Sequence, residues 1–198
     1  MAPAIALMKM PPLILASASP RRSELLRQLG AGFRVIPAQI REIQPEYLTP
    51  MEVCQINAYH KARAVAKKHP DALVLGADTI VCLGTRVFGK PADLAQAHRM
   101  LAKLQGRTHQ VITGMCLIHL RAHQQKAFAV STTVTFRKLH SDQIRRYLAK
   151  INPLDKAGGY AIQEEGEEIV QKVSGSFTNV VGLPLERLRQ ELALYGHG

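Results

Sequence analysis

Short apolar runs alternate along this chain with stretches in which apolar residues recur every three or four positions. Leu13-Ile14-Leu15-Ala16 is uninterruptedly apolar and predicts a buried strand. In Ser17-Ala18-Ser19-Pro20, Ser19 suits a helix N-cap and Pro20 the first helical position, where a missing N–H costs nothing. That helix should carry Glu24, Leu25, Leu26 and Leu29 and stop at Gly30. Phe33-Arg34-Val35-Ile36 alternates and predicts a second strand. Thr49-Pro50-Met51-Glu52 has the form of a capping box with Pro at the first helical position, so a helix is expected from there to about Lys68, with Pro70 just beyond. Ala72 to Gly76 predicts a buried strand that continues extended through Thr79 to Cys82. Leu83-Gly84-Thr85-Arg86 then turns the chain into Val87-Phe88.

Further on, Asp93 is placed to cap a helix carrying Ala97, Met100, Leu101 and Leu104, closed near Gly106. Val111–Leu120 and Ala127–Leu139 are long β-rich segments, and the polar stretch 121–126 predicts a hairpin between them. Ser141 is expected to cap a helix to about Lys150, Ile169–Val173 to be a strand, and a last helix to start near Pro184 and carry Leu185, Leu188, Leu192 and Tyr195. Helices alternate with strands, but the hairpins exclude an all-parallel sheet. The expected class is α/β, with a mixed β-sheet flanked by helices. No internal repeat, linker or low-complexity run divides the 198 residues, so a single domain over 1–198 is expected, with residues 1–12 a loose N-terminal tail and a second short tail at His197-Gly198.

Charge adds a direction to this picture. Twenty-six Lys and Arg against 15 Asp and Glu give a formal +11, a field that attracts anions. Nucleic acid, an anionic membrane surface and free nucleotides all fit it, and so does a basic surface that serves only solubility. Nothing approaches the roughly 18 consecutive apolar residues of a membrane span, and the N-terminus is too short and too lightly charged for a signal peptide. A soluble cytoplasmic protein is expected. Cys54, Cys82 and Cys116 are widely spaced and odd in number, which points to free thiols buried as small hydrophobes rather than a disulfide framework or a nucleophile.

Four stretches place polar residues at the edges of buried elements, where a rigid scaffold aims them. Ser17-Ala18-Ser19-Pro20-Arg21-Arg22 joins a strand, a small-residue turn and a helix N-terminus. That combination reads equally well as an anion site with two hydroxyls and two guanidiniums or as an N-cap with solvated arginines. Gly76-Ala77-Asp78-Thr79 follows an apolar strand and puts an acid where it can bind a metal or take a proton from water; a simple turn aspartate is the plainer alternative. Glu42 stands similarly after the second strand. Gly89-Lys90-Pro91 holds a lysine in stiff backbone. Asp155-Lys156-Ala157-Gly158-Gly159 to Gln163, with Gly182-Leu183-Pro184-Leu185 later, has glycines that permit close backbone approach and a lysine and a glutamine suited to phosphate and base. No Walker-type loop and no Gly-x-Gly-x-x-Gly occurs, which weakens kinase-type and dinucleotide sites. His119 and His123 straddle a strand end and a loop rather than one helix face, so they read as solvated rather than as a metal pair, and His109 reads as structural. Tyr147 and Tyr160 are not interleaved with a basic stripe, as a stacking platform for single-stranded nucleic acid requires.

In this order the stretches resemble the Maf family of nucleoside-triphosphate pyrophosphatases. The matching residues are Ser17-Ala-Ser-Pro-Arg-Arg22, Glu42, Lys61-Ala62, Gly76-Ala-Asp-Thr79, Gly89-Lys-Pro91, Gly106 with His109 and Thr113-Gly114, Lys156-Ala-Gly158 to Gln163, and Asn179 to Leu185. They span roughly residues 13 to 189. The resemblance implies an inosine-triphosphatase-like (Maf/Ham1) architecture with two lobes around a central cleft, a homodimer, and release of pyrophosphate by attack at the α-phosphorus. It implies Asp78 as general base and metal ligand, Glu42 as the second acidic group at the metal, and Arg21, Arg22, Lys61 and Lys90 as triphosphate contacts, with Ser17 and Ser19 lining the same turn. Lys156 and Gln163 belong to the segment typical of the branch acting on dTTP and UTP, with modified pyrimidine nucleotides as further substrates. Oxygen ligands with few carboxylates suit Mg²⁺ or Mn²⁺ better than zinc. Two positions depart from the family pattern: Arg41 stands where an acid is usual, and Glu164-Glu165 follow Gln163 where a glycine is usual.

The expected function is therefore hydrolysis of dTTP and UTP to monophosphate and pyrophosphate by a homodimer that binds no membrane and no nucleic acid stably. Three alternatives stand beside it. One is a 7-methyl-GTP pyrophosphatase, one a nucleic-acid-binding protein that uses the basic surface, and one a regulator of cell division.

Overall fold

The parallel part of the sheet is built by two crossovers. In the computed structural model, which describes residues 10–195, β1 (Leu13–Leu15) is followed by α1 (Pro20–Arg27) and β2 (Phe33–Val35), and then by α2 (Pro50–Ala66) and β3 (Leu73–Leu83). β1 pairs in parallel with both β2 and β3, Leu15 lying opposite Val35 and Leu75. β4 (Arg86–Phe88) folds back antiparallel on β3. After α3 (Leu94–Leu104) come the long strands β5 (Thr108–His119) and β6 (Gln124–Phe136). α4 (Ser141–Lys150), α5 (Gly166–Ile169), β7 (Val170–Ser174), α6 (Phe177–Val181) and α7 (Leu185–Ala193) complete the chain. The strand order is β2-β1-β3-β5-β6-β7, with β4 on β3 and β7 antiparallel to β6. This is the mixed α/β sheet that the hydrophobic pattern predicts.

Local chemistry accounts for most boundaries. The capping box at α2 forms: Thr49 Oγ1 accepts from the Glu52 N–H, and Glu52 Oε2 accepts from the Thr49 N–H at 2.8 Å. Ser19 occupies the N-cap of α1 with extended backbone, yet its side chain makes no capping bond. Several boundaries shift: Leu29 lies past the end of α1, and β5 begins at Thr108 rather than Val111. The cap of α4 is His140, whose N–H donates to Gln143 Oε1 at 2.7 Å, so Ser141 is the first helical residue. β6 begins at Gln124 rather than Ala127, because His123 takes a left-handed turn conformation (φ 52°) and tightens the connection to four residues. That is far too short for a crossover, so β5 and β6 run antiparallel. Tyr195 lies beyond the end of α7. A 3₁₀ turn at Ala157–Gly159, α5 and α6 add to the predicted elements, each too short to show a period in the sequence. The expected tails at 1–12 and His197-Gly198 lie outside the described residues, except for 10–12.

The chain forms two compact units, and β3, β5 and β6 each pass from one into the other. Of the described residues, unit 1 comprises 10–78, 113–130 and 182–195, and unit 2 comprises 79–112 and 131–181. The core of unit 1 packs α2 on the sheet through Ala58, Ala62, Val65 and Val74. The core of unit 2 gathers Leu101, Leu104, Phe136, Ile144 and Tyr147 from α3, β6 and α4. The three cysteines are buried thiols. Burial raises the Cys82 thiol and pushes Cys116 up to about 12, so neither is a ready nucleophile at neutral pH.

Candidate active site

Two glycines decide how closely α2 lies on the sheet. A Cβ at Gly76 would stand 2.1 Å from the Ala58 carbonyl oxygen, and one at Gly114 would stand 2.4 Å from the Cys54 backbone. Only hydrogen fits at either place, so the helix backbone rests directly on β3 and β5. Gly76 and Asp78 are two apart on β3 and share a face. On α2, Asn57 and Lys61 are one turn apart and also share a face. The close approach at Gly76 therefore brings the two faces together.

The result is a buried charge cluster in unit 1. Lys61 Nζ lies 2.7 Å from Asp78 Oδ1 and 2.6 Å from Glu42 Oε1, and it donates to the Ala77 carbonyl at 3.3 Å. The side chains of Lys61 and Asp78 are only 10% and 9% exposed, whereas that of Glu42 is 54% exposed. Asn57, buried in the middle of α2, donates to Asp78 Oδ2 at 3.1 Å. Its amide also pairs with both backbone groups of Ile43, accepting from the N–H at 2.9 Å and donating to the carbonyl at 3.0 Å. Glu42 is thereby held on a coil segment tied to the helix that supplies Lys61.

Ser17, Arg22 and Gly182 form a second group in unit 1. Ser17 Oγ accepts from Arg22 Nη1 at 3.0 Å and from the Ser19 N–H at 3.3 Å, and Arg22 Nε donates to the Gly182 carbonyl at 2.9 Å. Ser17 thus serves as an acceptor that holds the turn and the guanidinium. Burial lowers the Arg22 pKa, and the carboxylates of Asp78 and Glu42 oppose that shift, which places the two groups in one electrostatic neighbourhood. Arg21 and Ser19 are half-buried at the start of α1.

Unit 2 holds the remaining predicted residues. The Gly158 N–H donates to the Gly89 carbonyl at 2.9 Å, which joins the Lys90 stretch to the Lys156 stretch. Lys90 and Gln163 are exposed. Lys156 is buried: its Nζ lies 2.9 Å from Asp155 Oδ1 and 3.3 Å from Glu164 Oε1, and donates to the Asn152 carbonyl at 2.7 Å. Glu165, in left-handed backbone at φ 53°, pairs with Lys150, as does Glu168. The two glutamates after Gln163 therefore clip its segment to the 150–156 stretch. Arg41 is exposed. His109 is buried against Phe136 and Tyr160, with Nε2 2.8 Å from the Tyr160 hydroxyl.

The structure brings Glu42, Lys61 and Asp78 together with Ser17 and Arg22 in unit 1, and Lys90 with Lys156 and Gln163 on joined stretches of unit 2. Asn57 is the member of the cluster that sequence reading misses. Its signal is a short polar residue in a helix interior, one turn before a buried lysine, where such residues are disfavoured unless they serve a local partner.

For a metal, the donor set is two carboxylates that converge on one cationic position, the Lys61 ammonium. Among the described residues, no group of three or more His, Cys, Asp or Glu is suited to a metal ion. Hard oxygen donors in this small number are of the kind that suits Mg²⁺ or Mn²⁺ rather than zinc.

A mixed α/β sheet thus carries a lysine–carboxylate cluster in the electrostatic neighbourhood of an arginine near a helix N-terminus. The family model described as Maf-like protein matches residues 12–195, and the chain belongs to that family. A protein of Pelotomaculum thermopropionicum named dTTP/UTP pyrophosphatase is 45% identical over 185 residues, covering 93% of this chain and 97% of that one. A protein of Moorella thermoacetica with the same name is 48% identical over 184 residues, covering 93% of this chain and 95% of its own length. Among solved structures, a HAM1 protein from Coxiella burnetii aligns over 64% of this chain and 73% of its own, at 20% identity and a TM-score of 0.43, too low to bear on the fold, which rests on the sheet itself. Among the described residues no helix is long and apolar enough to cross a membrane.

Proposed function

We propose that this protein hydrolyses dTTP and UTP to the monophosphate and pyrophosphate, with modified pyrimidine nucleotides as further substrates. The observation that carries the reading is the buried contact of Lys61 with Asp78, joined by the exposed Glu42 and beside Arg22, in a chain 45% and 48% identical to proteins named for that activity. Asp78 takes the proton from the attacking water. The water oxygen bonds to the α-phosphorus, the bond from that phosphorus to the bridging oxygen breaks, and pyrophosphate leaves. Lys61 and Arg22 offset charge that a triphosphate brings in, about four negative charges, so that much of the catalysis is positioning and neutralisation. Ser17 holds Arg22 in place. Ser19, Arg21 and Lys90 contact the phosphates, while Lys156 and Gln163 contact phosphate and base. Glu42 and Asp78 would hold Mg²⁺ or Mn²⁺, which would make the attacking water more acidic and offset phosphate charge. We further propose a cytoplasmic homodimer.

The test is pyrophosphate release from a nucleotide panel (dTTP, UTP, CTP, GTP, ITP and 7-methyl-GTP) with Mg²⁺ or Mn²⁺. Turnover of dTTP and UTP to monophosphates is expected; turnover of 7-methyl-GTP alone would overturn the substrate assignment. Asp78→Asn is expected to lower turnover by about 10²–10⁴-fold, the range for loss of a positioned base. Near-normal activity in that variant rejects the role given to Asp78.

A further inference from the structure

We infer that Asn57 is a positioning residue, whose carboxamide fixes the Glu42-bearing segment against the Asp78 carboxylate. The inference deepens the proposed function and rests on it. Fourteen residues, 36–49, separate β2 from α2 with no helix or strand of their own. A connection that long is uncommon and needs anchors. At its middle, the backbone N–H and C=O of Ile43 both turn to one side chain, that of Asn57, at 2.9 and 3.0 Å. The carboxamide mimics a strand partner there. Its Nδ2 carries two hydrogens, one for the Ile43 carbonyl and one for Asp78 Oδ2 at 3.1 Å. All three bonding positions point at the two elements that the chemistry must bring together.

The neighbouring contact makes the consequence specific. Lys61 Nζ holds Asp78 by its other oxygen, Oδ1, at 2.7 Å, so Asn57 and Lys61 together fix both oxygens of that carboxylate. Glu42 adjoins Ile43, and its side chain is half exposed. The Lys61 contact alone does not fix the backbone that carries Glu42, and a long side chain reaches one point from many backbone positions. Asn57 supplies that constraint. A buried amide with all these groups satisfied is rigid, and removing it leaves the Ile43 N–H and C=O unpaired.

The experiment compares the full-length chain with Asn57→Leu, which keeps the number and branching of the side-chain heavy atoms and removes the hydrogen bonds. Hydrogen exchange by mass spectrometry is read over 40–46 and over α2, and kcat and KM for dTTP are measured with Mg²⁺. Exchange over 40–46 is expected to quicken about fivefold to tenfold, the factor for one lost hydrogen bond, with α2 unchanged. The kcat is expected to fall about 10–100-fold with KM moved far less, as a misplaced group produces. In a Glu42→Gln background the same substitution is expected to cost less, because the part of its effect that runs through Glu42 is already gone and only its bond to Asp78 remains. Normal kcat in the variant, or a lowered kcat with exchange over 40–46 unchanged, or full additivity with Glu42→Gln, overturns the inference. If Asn57→Leu does not fold, Asn57→Ser, which leaves room for water, is read in the same way. Failure of the proposed function is distinct: the unaltered chain then turns over none of the nucleotides, while the exchange result still reports on the tether.

Discussion

Lys61 and Lys156 are both nearly buried, and each has two carboxylates within 3.3 Å, yet the two clusters are built differently. Of the partners of Lys61, one is as buried as the lysine: Asp78 is 9% exposed, against 54% for Glu42. Both partners of Lys156 are wet, Asp155 at 46% and Glu164 at 42%. A wet carboxylate that loses its lysine regains water at little cost. A buried one is left without its partner in a place that water reaches poorly. Unit 1 thus pairs a buried lysine with a buried carboxylate, whereas unit 2 uses a similar arrangement to clip a loop.

The largest expected effect of that difference is in Lys61→Met. It leaves Asp78 buried without its ammonium and facing Glu42, and the expected loss is about 3–5 kcal/mol, the range for breaking a buried pair from one side. Urea denaturation of the variant beside Lys156→Met measures it. Equal losses in the two variants would erase the distinction between the clusters.

A second handle belongs to unit 2 alone. Burial drives the His109 pKa from the usual 6.5 down to about 4, so the folded chain holds that imidazole neutral. Its Nδ1 has no partner among the described residues. Between pH 6.5 and 4 the unfolded chain binds the proton and the folded chain does not, so stability rises with pH through that window. The contribution is complete above 6.5, drains away as pH falls toward 4, and is flat below. It amounts to about 3 kcal/mol in all, because a tenfold difference in proton affinity between folded and unfolded chains is worth about 1.4 kcal/mol. His109→Gln is expected to flatten the fall in urea midpoint between pH 6.5 and 4; an unchanged slope would assign that slope to carboxylates instead.

Much of this is legible in the sequence alone. The Thr49–Glu52 capping box, Pro20 opening α1 and the turn at Gly84 carry their own local chemistry, and the structure realises each. The ordered motifs mark Glu42, Lys61 and Asp78, but spacing says nothing about contact. That three residues from a coil, a helix and a strand meet follows from how closely α2 lies on Gly76, a long-range packing result. Asn57 escapes notice because one polar residue in a helix looks like surface. The cap at His140 is hidden because Ser141 is the stronger intrinsic capper, and the bond between the His140 N–H and Gln143 outweighs that preference. The role of Glu164 is hidden because its lysine partner lies eight positions back, across a turn with no period of its own.

The smallest effects test the wet cluster directly. Lys156→Met is expected to change stability by no more than about 1 kcal/mol, since both carboxylates return to water. If Lys156 contributes charge to the substrate, KM for dTTP rises about fivefold with kcat kept, the mark of binding shared by ground and transition states. Glu164→Gln then acts in the opposite direction. The phosphate no longer competes with Glu164 for the lysine, and KM falls about twofold, a gain that shrinks as salt screens it. A rise in KM on Glu164→Gln has a different meaning. It makes Glu164 the anchor of the loop that presents Gln163, whose loss moves the glutamine, and Lys156 is then part of a fastening rather than a contact. The two lysines would differ in kind, one serving chemistry and the other architecture, and the sign of that single change in KM decides between them.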